Sequence, residues 1–176
     1  MTSVVRLQFY NFNKSKDGRN GIDDNALIRL SKHNIRKEID YKVEIKSKQT
    51  KHINSDKSLN NICYKQLDYT EIDKIKNQKF DTRARSNSVG AFQMVFDFTE
   101  NIEDFDEEAH RELILNYLSD IGILKHFDLL EFVLHIDEER EKPHFHLIFS
   151  GYDKIKKKFA VNDFFSPRQG EEIDKN

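Results

Sequence analysis

The chain has a single cysteine, Cys63, among its 176 residues. One thiol excludes an intrachain disulfide and any structural zinc site built on four cysteines, and it fits a reducing compartment. Long apolar runs are absent too: none approaches the roughly 20 residues that a membrane-spanning helix needs. The opening stretch, Met1-Thr2-Ser3-Val4-Val5-Arg6, lacks the apolar core of a signal peptide, which together with the lone thiol predicts a cytoplasmic protein. The sequence has no Gly-rich phosphate loop, no Ser-His-Asp constellation, no internal repeat and no low-complexity tract. The apolar fraction is low at 37%, and charged residues make up 34%. Phenylalanine offsets the shortage, because 14 of these rings can each bury a large apolar area. Length and composition predict one domain over residues 1–165 and a polar tail over 166–176.

The net charge of −2 conceals an asymmetry. Residues 1–90 carry 19 Lys and Arg against 11 Asp and Glu, whereas residues 91–176 carry 10 against 20. A basic half suits phosphates and an acidic half suits a metal, although two ordinary solvated surfaces would look the same.

Val4–Tyr10 is β-branched and aromatic and predicts a first strand. Ile22–Asp40 has helical spacing, with Ile22, Ala26, Leu27, Leu30 and Asn34 on one side. Tyr41–Ile45 predicts a short strand, and Lys46–Asn61 a polar, basic loop. Asp68–Lys79 predicts a helix on the spacing of Tyr69, Ile72 and Ile75. In Val89–Phe98 the alternation of Phe92, Met94, Phe96 and Phe98 predicts a strand. Phe105–Ile121 predicts an amphipathic helix burying Ala109, Leu113, Tyr117 and Leu118, with Gly122 near its end. Leu129–Ile136 and His144–Tyr152 predict a strand hairpin across the charged connector Asp137–Pro143. The basic run Lys154–Lys158 predicts a turn, and Phe159–Phe165 a segment that docks on the core. The expected fold class is α+β, an antiparallel β-sheet with flanking helices.

The chemistry concentrates in His135-Ile136-Asp137-Glu138-Glu139-Arg140-Glu141-Lys142-Pro143-His144-Phe145-His146. On a strand, His144 and His146 point to one face while Phe145 points to the other. If the preceding apolar run pairs with this strand, His135 reaches the same spot. Three converging imidazoles suit a divalent transition metal and leave coordination positions open. The competing reading is a core strand whose histidines merely face solvent. A His-hydrophobe-His pattern on a central strand is also the signature of the HUH nucleases, in which one divalent cation polarises a scissile phosphate.

Such chemistry needs an attacking group. Tyr117 is one candidate, although its place on the apolar stripe favours ordinary burial. Lys32-His33-Asn34-Ile35-Arg36 offers another. His33 can accept a phosphoryl group, and Arg36, at i+3 on the same helical face, can hold a phosphate oxygen.

These blocks together resemble the MobV (Pre/Mob) family of plasmid relaxases. Lys32-His33-Asn34-Ile35-Arg36 looks like the family's HNxR motif. His52–Asn61 looks like its DINP-containing segment, with His52 in place of the acidic residue and Ser55 in place of the proline. Arg83-Ala84-Arg85-Ser86-Asn87-Ser88-Val89 resembles its Arg-containing motif before a central strand. His135–His146 resembles HxDExxPHxH, with two extra residues between Glu138 and Pro143. The match spans roughly residues 30–150, and the chain is shorter than a complete relaxase of the family.

The resemblance implies an HUH relaxase-like sandwich and a metal-dependent, site-specific single-strand DNA endonuclease and strand transferase. His33 matches the histidine that attacks the phosphate and stays linked to the 5′ end, and Arg36 matches the arginine of that motif. His135, His144 and His146 match the metal triad, with one Mn²⁺ or Mg²⁺ as cofactor. Three imidazoles favour Mn²⁺. Glu138 matches the acidic residue after the first metal histidine, in a position to bind metal or water or to orient a ligand, with Asp137 and Glu139 as rivals in the longer connector. The implied partners are single-stranded or hairpin origin DNA and the mobilization or conjugation machinery. Candidate phosphate contacts are Arg19, Lys46, Lys48, Lys51, Lys57, Arg83 and Arg85, with the Lys46–Lys57 loop favoured because the resembling motif places it near His33; Lys154, Lys156, Lys157 and Lys158 form the strongest local basic run. The rival readings are a tyrosine-dependent HUH replication initiator or transposase, and a catalytically inactive DNA-binding module.

Overall fold

The computed structural model describes residues 3–12, 26–35, 61–137 and 142–166. Strand β1 (Ser3–Asn11) and helix α1 (Ala26–Ile35) come first. Strand β2 (Ile62–Lys65), helix α2 (Tyr69–Asp81) and strand β3 (Val89–Phe98) follow. After a 3₁₀ turn over Ile102–Asp104 come helices α3 (Glu107–Asp120) and α4 (Ile123–His126). Strands β4 (Leu129–His135) and β5 (His144–Ser150) form the predicted hairpin. The short pair β6 (Tyr152–Asp153) and β7 (Lys158–Phe159) encloses the basic turn, and helix α5 (Val161–Phe165) closes the described chain. The predicted strand Tyr41–Ile45, most of the Lys46–Asn61 loop and the tail beyond Ser166 lie outside the described residues.

Five strands make one sheet in the order β1-β3-β5-β4-β2, and every neighbouring pair is antiparallel. β5 is therefore central, and the expected α+β class holds. The alternation of each strand sorts its residues onto two faces. Phe92, Met94 and Phe96 of β3 stand opposite Phe149, Leu147 and Phe145 of β5, and Phe98 follows on the same face. With Phe132 and Leu134 they form the larger core, which Ile114, Leu118, Ile123, Phe127 and Val161 cover from α3, α4, the α4–β4 junction and α5. The other face carries Ala91, Leu130 and Ile148 under Leu27 of α1 and Leu67, Ile72 and Ile75 in and before α2. Helices on both faces explain why β3 and β5 are buried almost throughout. Phe92, Phe127, Phe145 and Phe149 are among the fully buried side chains. Each such burial is worth about 1.5–3 kcal/mol relative to exposure.

Local signals set the helix ends. Asp68 caps α2 by accepting from Thr70 N–H at 2.9 Å, and Glu71 reaches back to Asp68 N–H at 3.1 Å, a reciprocal capping box. Asp106 caps α3 through Ala109 N–H at 3.0 Å. Gly122, at φ +81°, ends the helical run of α3 in the left-handed region that suits glycine. Among the described residues no helix is long and apolar enough to cross a membrane.

Two expected packing faces need correction. Tyr69 shares the spacing of Ile72 and Ile75 but is 61% exposed, because it sits in the first turn of α2 with its side chain beyond the sheet cover. In α3 the buried stripe is His110, Ile114 and Leu118, whereas Ala109, Leu113 and Tyr117 are exposed. The apolar residues alone mislead about the phase, because an imidazole occupies the first core position. His110 packs between Phe98 and Phe105 at ring distances of 4.5 and 4.3 Å, with Nδ1 2.6 Å from the Asp106 carbonyl.

Candidate metal centre and nucleophile helix

The β4–β5 ladder pairs His135 with His144 and Val133 with His146. His135, His144 and His146 therefore project from one end of the sheet onto the α1/α2 face, while Phe145 enters the opposite core. The ring centroids lie 5.2 Å (135–144), 4.5 Å (135–146) and 5.0 Å (144–146) apart. One nitrogen from each ring falls within 4.8 Å of the others. His135 is fully buried, His144 nearly so, and His146 partly open. The register, His135 opposite His144, brings the three histidines together despite the longer connector.

Each ring has a polar partner, on another element for His135 and His146 and two residues upstream for His144. Nε2–H of His135 donates to the backbone carbonyl of Asn34 on α1. Nδ1–H of His144 donates to the Lys142 carbonyl at 3.2 Å. Nδ1 of His146 lies 2.5 Å from the side-chain amide of Gln93, and Tyr10 donates its hydroxyl to Gln93 Oε1 at 3.2 Å. Burial drives the Tyr10 phenol upward, so it stays a neutral donor. A proton on Nε2 of His135 and on Nδ1 of His144 makes the opposite nitrogen of each ring the lone-pair donor. Three neutral imidazoles with outer partners are a donor set that fits a divalent transition cation.

The helix that carries His33 is tied to this centre. Ser31 Oγ–H donates to Glu131 Oε2, and Asn34 Nδ2–H donates to Glu131 Oε1 at 2.7 Å. Glu131 is fully buried in β4, and Asn34 in α1. Burial pushes the Glu131 carboxyl above its ordinary range, and the hydrogen bonds from Ser31, Asn34 and the Leu67 backbone offset this only in part. His33 is half-buried and is the residue next to Asn34, whose carbonyl bonds the triad.

Asp97 shares the cross-strand row of His144 and holds Arg6 bidentately, with both N–O distances 2.7 Å. Asp137 is fully buried but stands outside the three-histidine group. Arg36, Glu138 and Glu139, with Lys46, Lys48, Lys51 and Lys57, lie outside the described residues.

Arg83 and Arg85, expected as phosphate contacts, and Tyr117, one candidate nucleophile, all stand away from the triad. Arg83 and Arg85 are exposed in the turn between α2 and β3. β3 begins at Val89 and reaches the triad row at Asp97. At roughly 3.3 Å per residue that is about 26 Å along the strand. Arg83, at φ +49°, shares its end of α2 with Lys76, Lys79 and Phe80, which is 84% exposed. Tyr117 lies on the other face of the sheet, 42% exposed, with its ring against Phe96 at 5.9 Å. The sheet separates it from the triad.

Four residues at the site escaped the sequence reading: Ser31, Glu131, Gln93 and Tyr10. A signal was present for two of them, since Glu131 is the one charged residue in the run Leu129–Leu134 and Gln93 interrupts the apolar face of a buried strand. Strand β2 escaped as well, because four residues, Ile62 and Tyr64 inward and Cys63 and Lys65 outward, are too short an alternation to stand out before they pair with β4.

The described residues thus form an α+β fold, an antiparallel five-stranded sheet whose central hairpin carries a three-histidine cluster that could hold a metal ion. No protein-family model matches the chain, and no curated protein does. Among solved structures, the chain has the fold of the MobM relaxase domain (MOBV; Mob_Pre). One such structure, Mn-bound and holding a 22-nucleotide plasmid pMV158 oriT DNA with a 3′ thiophosphate, gives a TM-score of 0.63 at 20% identity, covering 94% of this chain and 78% of that one. A second Mn-bound complex with 22-nucleotide oriT DNA gives 0.62 at 21% identity with the same coverage. A complex with 26-nucleotide oriT DNA gives 0.54 at 18% identity, covering 94% and 77%.

Proposed function

We propose that this protein is a MOBV-type relaxase, a metal-dependent endonuclease and strand transferase that nicks one strand of an origin DNA. The observation that carries the reading is the bond from His135 to the Asn34 carbonyl, which joins the His33 helix to the three-histidine centre within a relaxase-domain fold.

His135, His144 and His146 would hold the cation. Mn²⁺ suits three imidazoles better than Mg²⁺, and the MobM domains of this fold are Mn-bound. When bound, the cation supplies Lewis-acid polarisation of the scissile phosphate. His33 attacks the phosphorus through an imidazole nitrogen; an N–P bond forms and the P–O3′ bond breaks. The departing strand leaves as a 3′-hydroxyl, and the 5′ end stays on His33. Attack by a 3′-hydroxyl on the phosphoramidate reverses the step and reseals the strand. Arg36, at i+3 from His33, would hold a phosphate oxygen, and Glu138 would bind or orient a ligand at the cation. Arg83 and Arg85, with Lys46, Lys48, Lys51 and Lys57, would contact DNA phosphates away from the scissile bond. The partners on this reading are single-stranded or hairpin origin DNA and the mobilization or conjugation machinery, and the reaction runs in the cytoplasm, where a thiol such as Cys63 stays reduced.

The test is cleavage of an origin-bearing supercoiled plasmid and of single-stranded origin oligonucleotides with Mn²⁺ or EDTA, on the wild type and His33→Ala, with any adduct mapped by mass spectrometry. An EDTA-sensitive nick with an acid-labile adduct on His33 is expected. Full activity in His33→Ala would remove the nucleophile assignment, and DNA binding without cleavage under any divalent ion would leave a binding module.

A further inference from the structure

Glu131 is the one carboxylate that the described structure buries completely against the helix of the candidate nucleophile. A buried carboxylate without partners is strongly unfavourable, so its bonds are where the strand dictates helix position. The two oxygens take separate donors three residues apart on α1: Oε2 takes Ser31 and Oε1 takes Asn34. Two contacts almost one helical turn apart define both the height and the rotation of α1 over β4. The same Asn34 turns its backbone carbonyl to Nε2–H of His135, four residues along β4 from Glu131.

We propose that Glu131 is a positioning residue that clamps α1 onto β4 and thereby sets both the tautomer of His135 and the placement of His33 beside the triad. This rests on the reading of His33 and the triad as halves of one site. The clamp acts at a distance from the chemistry: Glu131 reaches the triad only through the helix. A donor to His135 supplied by rigid backbone determines which ring nitrogen carries the proton, and such outer partners tune a ligand's basicity. Withdrawal of the carboxylate leaves Asn34 Nδ2 and Ser31 Oγ facing apolar surface, and α1 relaxes away from its carbonyl contact.

The experiment compares the wild type with Glu131→Met, which fills the space without an acceptor, and Glu131→Gln, whose Oε1 can accept from Asn34 Nδ2–H while its amide N–H donates to the Ser31 hydroxyl. The first readout is the imidazole Nε2–H resonance of His135 in the metal-free protein, followed by ¹⁵N-resolved NMR. The second is Mn²⁺ affinity from an EPR titration with Mn²⁺ alone. In Glu131→Met the slowly exchanging Nε2–H signal is expected to disappear, with Mn²⁺ bound about 10–100-fold more weakly. Glu131→Gln is expected to restore both. If Glu131→Met does not fold, Ser31→Ala, which removes one of the two bonds to α1, is expected to broaden the same resonance and weaken Mn²⁺ several-fold. A folded variant that loses only thermal stability, with the His135 signal and Mn²⁺ affinity of the wild type, would overturn the clamp. The NMR readout needs neither metal nor DNA, so it decides the clamp even if the wild type proves not to bind Mn²⁺ and the relaxase reading falls.

Discussion

The side-chain amide of Gln93 lies 2.5 Å from Nδ1 of His146, joining β3 to the most open of the three histidines. Behind it, Tyr10 of β1 donates to Gln93 Oε1, so three strands converge on one imidazole. An amide presents either a donor or an acceptor to that nitrogen, depending on which end it turns. Gln93→Leu removes both and frees the ring to rotate. Its Mn²⁺ affinity is expected to fall about 10–100-fold, as for other outer-partner losses. Gln93→Glu supplies a carboxylate acceptor for Nδ1–H and is expected to keep or tighten binding. Isothermal titration of both variants checks the contrast, and equal affinities would show that Gln93 does not orient the ring.

Glu131 also predicts how stability follows pH. Its folded carboxyl is raised above the ordinary value of 4.5, chiefly by burial. Below 4.5 both the folded and the unfolded chain hold the proton. As pH rises from there toward the raised folded value, the unfolded chain releases its proton first, and stability declines across that window. Glu131→Gln removes this titration. Calorimetry of the metal-free proteins from pH 4 to 8 is expected to show the melting temperature of Glu131→Gln gaining on the wild type with rising pH. A constant difference would contradict the assignment.

Phe145 separates the two histidines of β5 and serves the other side of the sheet. It is fully buried, with rings of Phe132, Phe98 and Phe105 at 5.4, 6.0 and 6.0 Å. Phe145→Ala is expected to cost about 3–5 kcal/mol. Urea denaturation should show the midpoint falling with an unchanged slope. A loss under about 1 kcal/mol would mean that the core closes over the gap.

Tyr117 provides a control on the nucleophile. Its ring meets Phe96 on the face opposite the triad. Tyr117→Phe is expected to nick and form adduct at the wild-type rate. Loss of the adduct in that variant, with folding retained, would support the tyrosine-dependent class instead.

Much of this protein is legible in one dimension. The alternation in Val89–Phe98 and the pattern on either side of the Asp137–Pro143 connector define a hairpin and a strand, since period-two alternation and a polar break depend only on neighbours in sequence. The histidine triad follows from the same logic: an i, i+2 pair on one strand and a third ring at the end of its hairpin partner. The motifs around His33 and His135–His146 were legible too, but only as separate blocks. The phase of α3 was not, because a core imidazole, His110, is polar by composition and apolar by its ring contacts. What joins the blocks is tertiary. Glu131 reads as a misplaced charge until α1 brings Ser31 and Asn34 over it, and Asn34 lies 101 residues from His135. Sequence determined which groups could do the chemistry, through local periodicity and side-chain type. Only folding decided which of them meet, because buried polar groups must find donors and acceptors wherever the packed chain supplies them.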